Sequence, residues 1–508
     1  MHLIDKTSAT LCAPLRLCVK SSNAPTTPDL HARLLRNTCW SLAGTFVARA
    51  LGLFSAIVVA RILGKHDFGA LGLTQGTISM FGIFAGCGTS LTVTKHIAEL
   101  HSSQPARAAR ILGLCNVAAA SLGVLMALTL AFLSPWLANR ALGSSEMASL
   151  LRVGALTLLF DSLNGVQTGA LAGFGAFKTL ARLNLTIGLL SFPLIISGAF
   201  LAGVFGALLA QSITSLLNCL VNYTAVRHQA TLAGFSISFC ELGHELTVLW
   251  SFSLPAMLGS AVSGPAGWAL NALLANQPGG YDQLGCYNAA LRIKQLPESL
   301  LTMLAAPLLP LLTEHFARRD IQAYRKLLAY SVGLSSAIIV PISLLQLAAP
   351  NLTLLPYGLT YASQSSLVQW LMLHAIAVAI FYPLNSVLVS MHRMWVSCVI
   401  NLLFAALNLT LGFFLVPAYG VTGMVASTAI SFFVANIPCA IFTISHQPQF
   451  FTRTPFITMP AAATLAALLC VMAGCHLRPS LAFSIASLFG SLIFALSLSL
   501  MCRRTAAR

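Results

Sequence analysis

Five ionisable residues lie inside long apolar stretches of this chain, where a charge is costly. Three are basic (Arg49, Arg292 and Lys294), and two are acidic (Asp161 and Glu298). A basic side chain at the centre of a bilayer costs about 2.5–3.5 kcal/mol on insertion scales, so it persists where it faces a wet cavity or a partner. Because Arg49 and Arg292 belong to different halves of the chain, they could place positive charge on both sides of one central cleft.

Ion pairing is the alternative interpretation of the same residues. Lys294 and Glu298 are four residues apart, on one face of a helix, and Arg49 could pair with Asp161. The two carboxylates could instead carry a proton or a sodium ion for coupled transport. The interpretation of Asp161 and Glu298 as counter-ions of the basic residues is favoured, because one acidic residue in each half supplies few ligands for a cation.

The composition sets the environment in which these charges must function. Of 508 residues, only 8% are charged and 57% are hydrophobic, whereas soluble proteins carry about 25% charged residues. A soluble enzyme, a nucleic-acid-binding module and a disordered chain are therefore excluded. The net charge of +16 raises the question of which side of a membrane the basic residues occupy.

Continuous apolar runs predict an all-α polytopic membrane protein. A helix needs roughly 20 apolar residues to span the hydrocarbon, and helices satisfy their own backbone hydrogen bonds there. Most of the 28 Lys and Arg residues fall on one side of the predicted spans, which predicts cytoplasmic N- and C-termini by the positive-inside rule. We predict about fourteen spans, near 38–60, 69–94, 109–133, 149–172, 180–201, 204–226, 246–270, 284–312, 327–349, 365–390, 394–415, 421–443, 456–475 and 480–501.

The two halves of the chain repeat each other. Gly203 and Gly206 open the sixth predicted helix, and Gly420 and Gly423 open the twelfth, at the same spacing. Six helices between repeats preserve orientation, so we predict two parallel six-helix lobes around a central cleft, plus two C-terminal helices. The predicted divisions are a cytoplasmic tail (1–36), an N-lobe (37–226), a cytoplasmic linker (227–245), a C-lobe (246–445), two accessory helices (446–502) and a cytoplasmic tail (503–508).

Four sequence motifs suggest a family. They are ARILG at 60–64 followed by DFG at 67–69, LGCYNAALRI at 284–293, LLPYGLTY at 354–361, and VPAYGVTGMVAS at 416–427. With them, residues 35 to 500 resemble the polysaccharide transporters, the O-antigen and exopolysaccharide flippases of the multidrug-and-toxin-extrusion-like superfamily. The chain departs from that pattern in its long N-terminal tail and its thirteen cysteines.

The resemblance implies a transporter that works by alternating access, without enzyme chemistry or a cofactor. Such proteins move undecaprenyl-diphosphate-linked oligosaccharide units across the bacterial inner membrane for the export of O-antigen, capsule or exopolysaccharide. The implied partners are the lipid-linked oligosaccharide, membrane lipids, and the polysaccharide polymerase with its chain-length or export machinery, and no nucleic acid.

The resemblance also gives the internal charges a substrate. Arg49 and Arg292, with Lys294 as a third candidate, would hold the diphosphate, because the planar guanidinium binds phosphate oxygens bidentately. Lipid II flippases of the superfamily carry cavity arginines in the first and eighth helices, which Arg49 and Arg292 match by helix only. Uncharged residues could bind sugar hydroxyls or hydrogen-bond neighbouring helices: Asn164, Gln167, Gln295 and Gln211.

The first motif also has a structural interpretation. Gly64 and Gly69 would allow a tight turn between the first two helices, and Phe68 would lie at headgroup level, as aromatic residues prefer. The sequence contains no P-loop and no pattern of metal ligands, so no metal site is predicted.

Two other functions compete with the flippase. A multidrug or small-cation antiporter of the same superfamily should have acidic residues in its cavity, whereas here three basic residues and two acidic ones lie in the predicted spans. A polytopic glycosyltransferase or polymerase should carry catalytic residues in a large outer loop, and the predicted outer loops are short and poor in acids.

Overall fold

The computed structural model describes residues 27–239, 242–248, 261, 263–305, 308–362, 364–391 and 393–446. Helices make up almost all of these residues, without a β-strand among them. The accessory helices predicted within 446–502, and most of the N-terminal tail, lie outside the described residues. The helices are α1 Thr27–Gly86, α2 Thr89–Leu100, α3 Pro105–Trp136, α4 Met147–Gly173, α5 Phe177–Leu232, α6 Leu246–Val248, α7 Ser263–Ala275, α8 Gly280–Ala305, α9 Leu308–Ala317, α10 Ile321–Ala348, α11 Pro350–Leu354, α12 Leu359–Ala362, α13 Ser365–Ser390 and α14 Met394–His446.

Three of these helices consist of two arms joined at a glycine. The joints are Gly64 in α1, Gly203 in α5 and Gly420 in α14, and each has a positive φ, a conformation that glycine adopts without steric cost. The predicted helix pairs 1/2, 5/6 and 11/12 are the arms of these three helices. Six helices within the described part of the chain are long and apolar enough to cross a membrane, and these three are among them.

Two ends of the predicted spans differ from expectation. The described part of α1 begins at Thr27, before the predicted start of the first span. The predicted second span stops early, since Cys87 and Gly88 both have positive φ (42° and 66°) and separate α1 from α2.

The predicted internal repeat is visible in the backbone geometry. Gly203 has φ 60° and ψ −139°, and Gly420 has φ 58° and ψ −135°. After each joint, the next glycine packs against a backbone carbonyl of the preceding arm: Gly206 against Gly198 and Gly423 against Leu415. Equivalent residues of the two halves therefore make the same contact at the same turn.

We call α1–α5 the N-lobe and α6–α14 the C-lobe, and glycines bring the two together. The main contact between lobes is between α1 and α8. A Cβ atom added at Gly69 would collide with the carbonyl of Tyr281, and one added at Gly285 would collide with the carbonyl of Lys65. Small residues at helix interfaces allow this close approach inside a membrane. Gly69 therefore serves packing between the lobes, while Gly64 makes the turn.

One end of the helical bundle is closed by contacts between connecting segments, and we call it the Gly64 end. Arg61 Nε donates to the carbonyl of Pro356 at 2.7 Å, and Tyr361 Oη donates to the carbonyl of Ala60 at 3.1 Å. The residues 354–361, which we call the closing segment, thus bind the end of the first arm of α1. The two segments that meet here, the turn at Gly64 and the closing segment, are both predicted to lie on the outer side of the membrane.

Further contacts between the lobes hold the Gly64 end together. Tyr281 Oη donates to the carbonyl of Leu142 at 2.8 Å, and Asn276 Nδ2 donates to the carbonyl of Ala141 at 2.7 Å. Both donors come from the C-lobe and both acceptors from the N-lobe. Closure therefore rests on backbone carbonyls that only a correctly placed partner segment can reach.

The opposite end of the bundle, which we call the linker end, is built differently. At the Gly64 end, one cluster of buried apolar side chains runs through both lobes. At the linker end, the N-lobe and the C-lobe have separate clusters. Among the described residues, the two lobes therefore share a buried core at the Gly64 end and have separate cores at the linker end.

The linker is fastened to the N-lobe at its own end of the bundle. The buried carboxylate of Glu245 lies 3.2 Å from Arg107 Nε and 3.5 Å from Arg110. The backbone N–H of Ser238 donates to the carbonyl of Ala109 at 3.3 Å. Two arginines at the start of α3 thereby fix the segment that leads into the C-lobe.

Gly285→Ala should destabilise the protein, because its methyl group would overlap the carbonyl of Lys65. Overpacking of this kind costs about 1–3 kcal/mol, which should lower the midpoint of thermal unfolding of the detergent-solubilised protein by several degrees. Gly267→Ala in α7 is the control, since its methyl group would enter open space and alanine favours helix. Equal midpoints for the two variants would contradict the proposed contact.

Candidate functional site

A cavity of about 210 Å³ lies between the lobes, below the closed Gly64 end. Its walls come from both arms of α1, both arms of α5, and α8. Six polar side chains line it: the hydroxyls of Ser55 and Ser191, the amides of Gln75, Gln211 and Asn288, and the guanidinium of Arg292. The lining residues that the structure describes include no carboxylate, so their net charge is positive.

Arg292 is held in this cavity by an amide rather than by an acid. Its guanidinium donates to Gln75 Oε1 at 2.8 Å, and Gln75 Nε2 donates in turn to Gln211 Oε1 at 2.8 Å. A neutral acceptor orients the guanidinium without neutralising it. Because one donated bond leaves other N–H groups of the five, the arginine can still bind an anion.

Arg49 belongs to the same basic region. It is exposed on the first arm of α1, and it is close enough to Arg292 for the two positive charges to repel each other. Among the described residues, no carboxylate lies within ion-pair distance of Arg49. The structure therefore brings Arg49 and Arg292 together and leaves the alternative pair with Asp161 unformed.

Lys294 lies elsewhere, although it is only two residues from Arg292. Its side chain is buried, and Nζ lies 3.0 Å from the carboxylate of Glu298, one turn along α8. Two residues along a helix correspond to a rotation of about 200°, which turns Lys294 away from the cavity that Arg292 lines. The pair matches the ion-pairing alternative of the sequence analysis.

Asp161 lines a second cavity, of about 270 Å³, between the second arm of α1 and α4. Its carboxylate lies close enough to the side chains of Ser215 and Asn164 to interact with them. Ser79 and Ser90 also line this cavity, so its walls hold several oxygen atoms. The carboxylate is solvated through this opening, apart from the central cavity.

Three of the four residues predicted to bind sugar do not line the central cavity. Asn164 Nδ2 donates to the carbonyl of Ser215 at 3.1 Å, and Gln167 Nε2 approaches Cys219 Sγ at 3.4 Å. Both are buried between α4 and α5, where they connect helices, and Gln295 is exposed on α8. Only Gln211 of the four lies in the cavity.

Sequence reasoning missed two cavity residues, Gln75 and Asn288. A signal was available, because the offset that relates Gly72 to Gly285 also relates Gln75 to Asn288. Two amides at equivalent positions of a repeat face the axis between the halves.

Phe68 does not anchor the protein in the lipid headgroups, as the sequence suggested. Its side chain is 4% exposed and packs on Tyr357, because the closing segment covers it.

A model of the polysaccharide biosynthesis protein family matches residues 34–316, more than half of the chain. The chain belongs to this family. The matched stretch covers the N-lobe and continues through α8, so it includes Arg49 and Arg292. The sequence-based resemblance to the polysaccharide transporters is confirmed.

Two proteins similar to this chain have names that state a function. The chain is 24% identical to the lipid III flippase of Escherichia coli (strain K12) over 296 residues, 57% of this chain and 69% of that relative. It is 25% identical over 276 residues to the succinoglycan biosynthesis transport protein ExoT of Rhizobium meliloti (strain 1021), 54% of this chain and 52% of the relative.

Solved structures show the fold of this family member. It is similar to the lipid II flippase MurJ in an inward closed conformation, with a TM-score of 0.67, 14% identity and coverage of 91% of this chain and 99% of that one. An inward-facing transporter of the multidrug resistance MATE family matches with a TM-score of 0.63 and 15% identity, covering 79% and 95%. The predicted all-α polytopic fold is confirmed, although the count of fourteen spans is not.

Glu298→Gln should destabilise this family member, because it leaves the buried ammonium of Lys294 without a counter-ion. Breaking a buried pair costs about 3–5 kcal/mol, so the thermal midpoint should fall clearly, and Lys294→Met with Glu298→Leu together should restore it. Glu314→Gln is the matched control, since its partner Arg318 is exposed and exposed pairs contribute about 0–1 kcal/mol. If Glu298→Gln were no worse than Glu314→Gln, Lys294 would not depend on this partner.

Proposed function

We propose that this protein flips undecaprenyl-diphosphate-linked oligosaccharide units across the bacterial inner membrane, for the export of O-antigen, capsule or exopolysaccharide. The observation that carries the proposal is the central cavity, in which Arg292 presents positive charge without an acidic partner among the described residues. Arg49 does not line this cavity, but it is close enough to Arg292 to add to the positive charge there. The relatives named as a lipid III flippase and a succinoglycan transport protein support it.

The chemistry of the cavity suits a diphosphate joined to a sugar. The guanidinium of Arg292 has donors to spare for phosphate oxygens, and charge-assisted bonds of this type are about twice as strong as neutral ones. The amides of Gln75, Gln211 and Asn288 supply donors and acceptors for sugar hydroxyls. The lipid chain would stay in the bilayer while the polar headgroup enters the cleft.

The lobe geometry supplies the path. With the Gly64 end closed and separate cores at the linker end, the cleft accepts a headgroup from the linker side. We predict that side to be cytoplasmic, from the distribution of basic residues. Transport then requires the shared core to open and the two separate cores to approach, without covalent chemistry. A polymerase or chain-length machinery would receive the product on the other side.

An antiporter of organic cations fits this cavity less well. Arg292 in the lining and Arg49 nearby, with no carboxylate among the described lining residues, would repel a cation. Coulomb interactions are strong where water is partly excluded. The MATE family resemblance concerns the fold, which hosts more than one substrate class.

Ion coupling is a separate part of the proposal, and Asp161 is its candidate. The carboxylate lies apart from the arginines and opens onto its own cavity, so a proton or sodium ion could reach it independently of the substrate. Ionisable residues inside membranes commonly mark such pathways.

Arg49→Ala and Arg292→Ala should each slow flipping of a fluorescent undecaprenyl-diphosphate disaccharide in proteoliposomes. Loss of hydrogen bonds to a charged group costs about 1.5–3 kcal/mol, which corresponds to a reduction of about 10- to 100-fold. Arg292→Lys should fall between, since it keeps the charge without the bidentate fork. Arg318→Ala, at an exposed arginine in the turn after α9, is the control and should flip at the wild-type rate. Full flipping activity of both Arg49→Ala and Arg292→Ala, at normal expression, would refute the proposal.

Asp161→Asn should remove the dependence of flipping on an ion gradient. The wild-type rate in proteoliposomes is expected to fall when an imposed proton or sodium gradient is collapsed by an ionophore. The asparagine variant should be slow with or without the gradient, because the amide cannot bind the ion. Asp67→Asn, an exposed carboxylate at the Gly64 end, serves as the control. A wild-type response in Asp161→Asn would exclude Asp161 from coupling.

A further inference from the structure

The closing segment places two buried tyrosines beside the central cavity. The rings of Tyr357 and Tyr361 are 5.8 Å apart, and the ring of Tyr357 is 6.2 Å from Phe68. Phe68 itself lines the cavity that contains Arg292. Tyr357 therefore packs against a residue that lines the central cavity.

The hydroxyl groups of the two tyrosines differ in their hydrogen bonding. Tyr361 Oη donates to the carbonyl of Ala60 and so holds the closing segment on α1. Tyr357 is 1% exposed, yet its Oη has no hydrogen-bond partner in the part of the chain that the structure describes. A buried hydroxyl without a partner costs free energy, and each such group in a folded protein calls for an explanation.

The surroundings of Tyr357 favour a bound anion as the missing partner. Tyr357 is close enough to Arg292 for the two side chains to interact electrostatically. Asn288, one turn before Arg292 on α8, has a buried Nδ2 that also lacks a partner among the described residues. A guanidinium, an amide N–H and a phenol O–H are all donors, so what is missing near them is an acceptor.

We propose that Tyr357 is a substrate-binding residue, whose hydroxyl donates a hydrogen bond to a phosphate oxygen of the headgroup held by Arg292. The inference rests on the proposed flippase function and adds the closing segment to the site. The same segment is bonded to the first arm of α1 through Arg61 and Tyr361. Headgroup binding is thereby linked, through one hydrogen bond, to the contacts that close the Gly64 end.

The test measures binding and stability of the purified full chain in detergent. Undecaprenyl diphosphate is the probe, and undecaprenol, which lacks the diphosphate, is the comparison ligand. Tyr357→Phe keeps the ring and removes only the hydroxyl, so it should weaken binding of undecaprenyl diphosphate about tenfold, as expected for one hydrogen bond to a charged group. Without ligand, its thermal midpoint should equal or exceed that of the wild type, because no satisfied hydrogen bond is lost.

Tyr324→Phe is the matched control for this substitution. Tyr324 is equally buried, but its Oη is 2.8 Å from Ser390 Oγ, in the C-lobe core at the linker end. Removing this hydroxyl should lower the thermal midpoint and leave the affinity for undecaprenyl diphosphate within about twofold of wild type.

Three results would overturn the inference. Wild-type affinity in Tyr357→Phe, with weakened binding in Arg292→Ala, would refute the role of Tyr357 and leave the proposed function standing. A lowered thermal midpoint in ligand-free Tyr357→Phe would show that its hydroxyl has a structural partner. Equal wild-type affinity for undecaprenyl diphosphate and undecaprenol would refute the proposed function, and the role of Tyr357 with it.

Discussion

The backbone contact between the second arm of α1 and α8 determines the architecture of the site. Gly69 and Gly285 each pack against a carbonyl of the other lobe, and Gly72 packs against the side chain of Asn288. Helices this close have no freedom to slide, because any side chain larger than hydrogen would separate them. The contact fixes the register that brings Gln75 within hydrogen-bond distance of Arg292, and the polar lining of the cavity follows from it.

Because charged residues are scarce in this protein, the charged side chain in the cavity lining, Arg292, needs an explanation. A protein with 8% charged residues places few ionisable groups in the bilayer, and two of them satisfy each other as Lys294 and Glu298. Arg292 is satisfied only in part, by a neutral amide, which preserves its positive charge. In a medium where desolvation is costly, a charge without a counter-ion among the described residues supports the proposal of an anionic ligand.

The sequence predicts the all-α polytopic fold, because hydropathy depends on composition over about 20 residues. It also predicts the repeat, since only glycine suits the joints at Gly203 and Gly420. It does not determine the rotation of each helix, on which the site depends. Lys294 and Arg292 have the same apparent depth, but α8 turns one into the core and the other into the cleft. Asn164 and Gln167 looked equivalent to Gln211 for the same reason, although packing of α4 on α5 buries them. Contacts between distant segments, such as Tyr357 with Phe68, leave no local pattern at all.

The most direct test of the account is the leaflet distribution of the carrier lipid in cells that lack this protein. Sugar-loaded undecaprenyl diphosphate should accumulate on the cytoplasmic leaflet, and the surface polysaccharide should be lost. The wild-type protein should restore the surface polysaccharide in these cells. The variant that carries both Arg49→Ala and Arg292→Ala should not restore it. Normal surface export of the sugar-loaded carrier in the deleted cells would contradict the account.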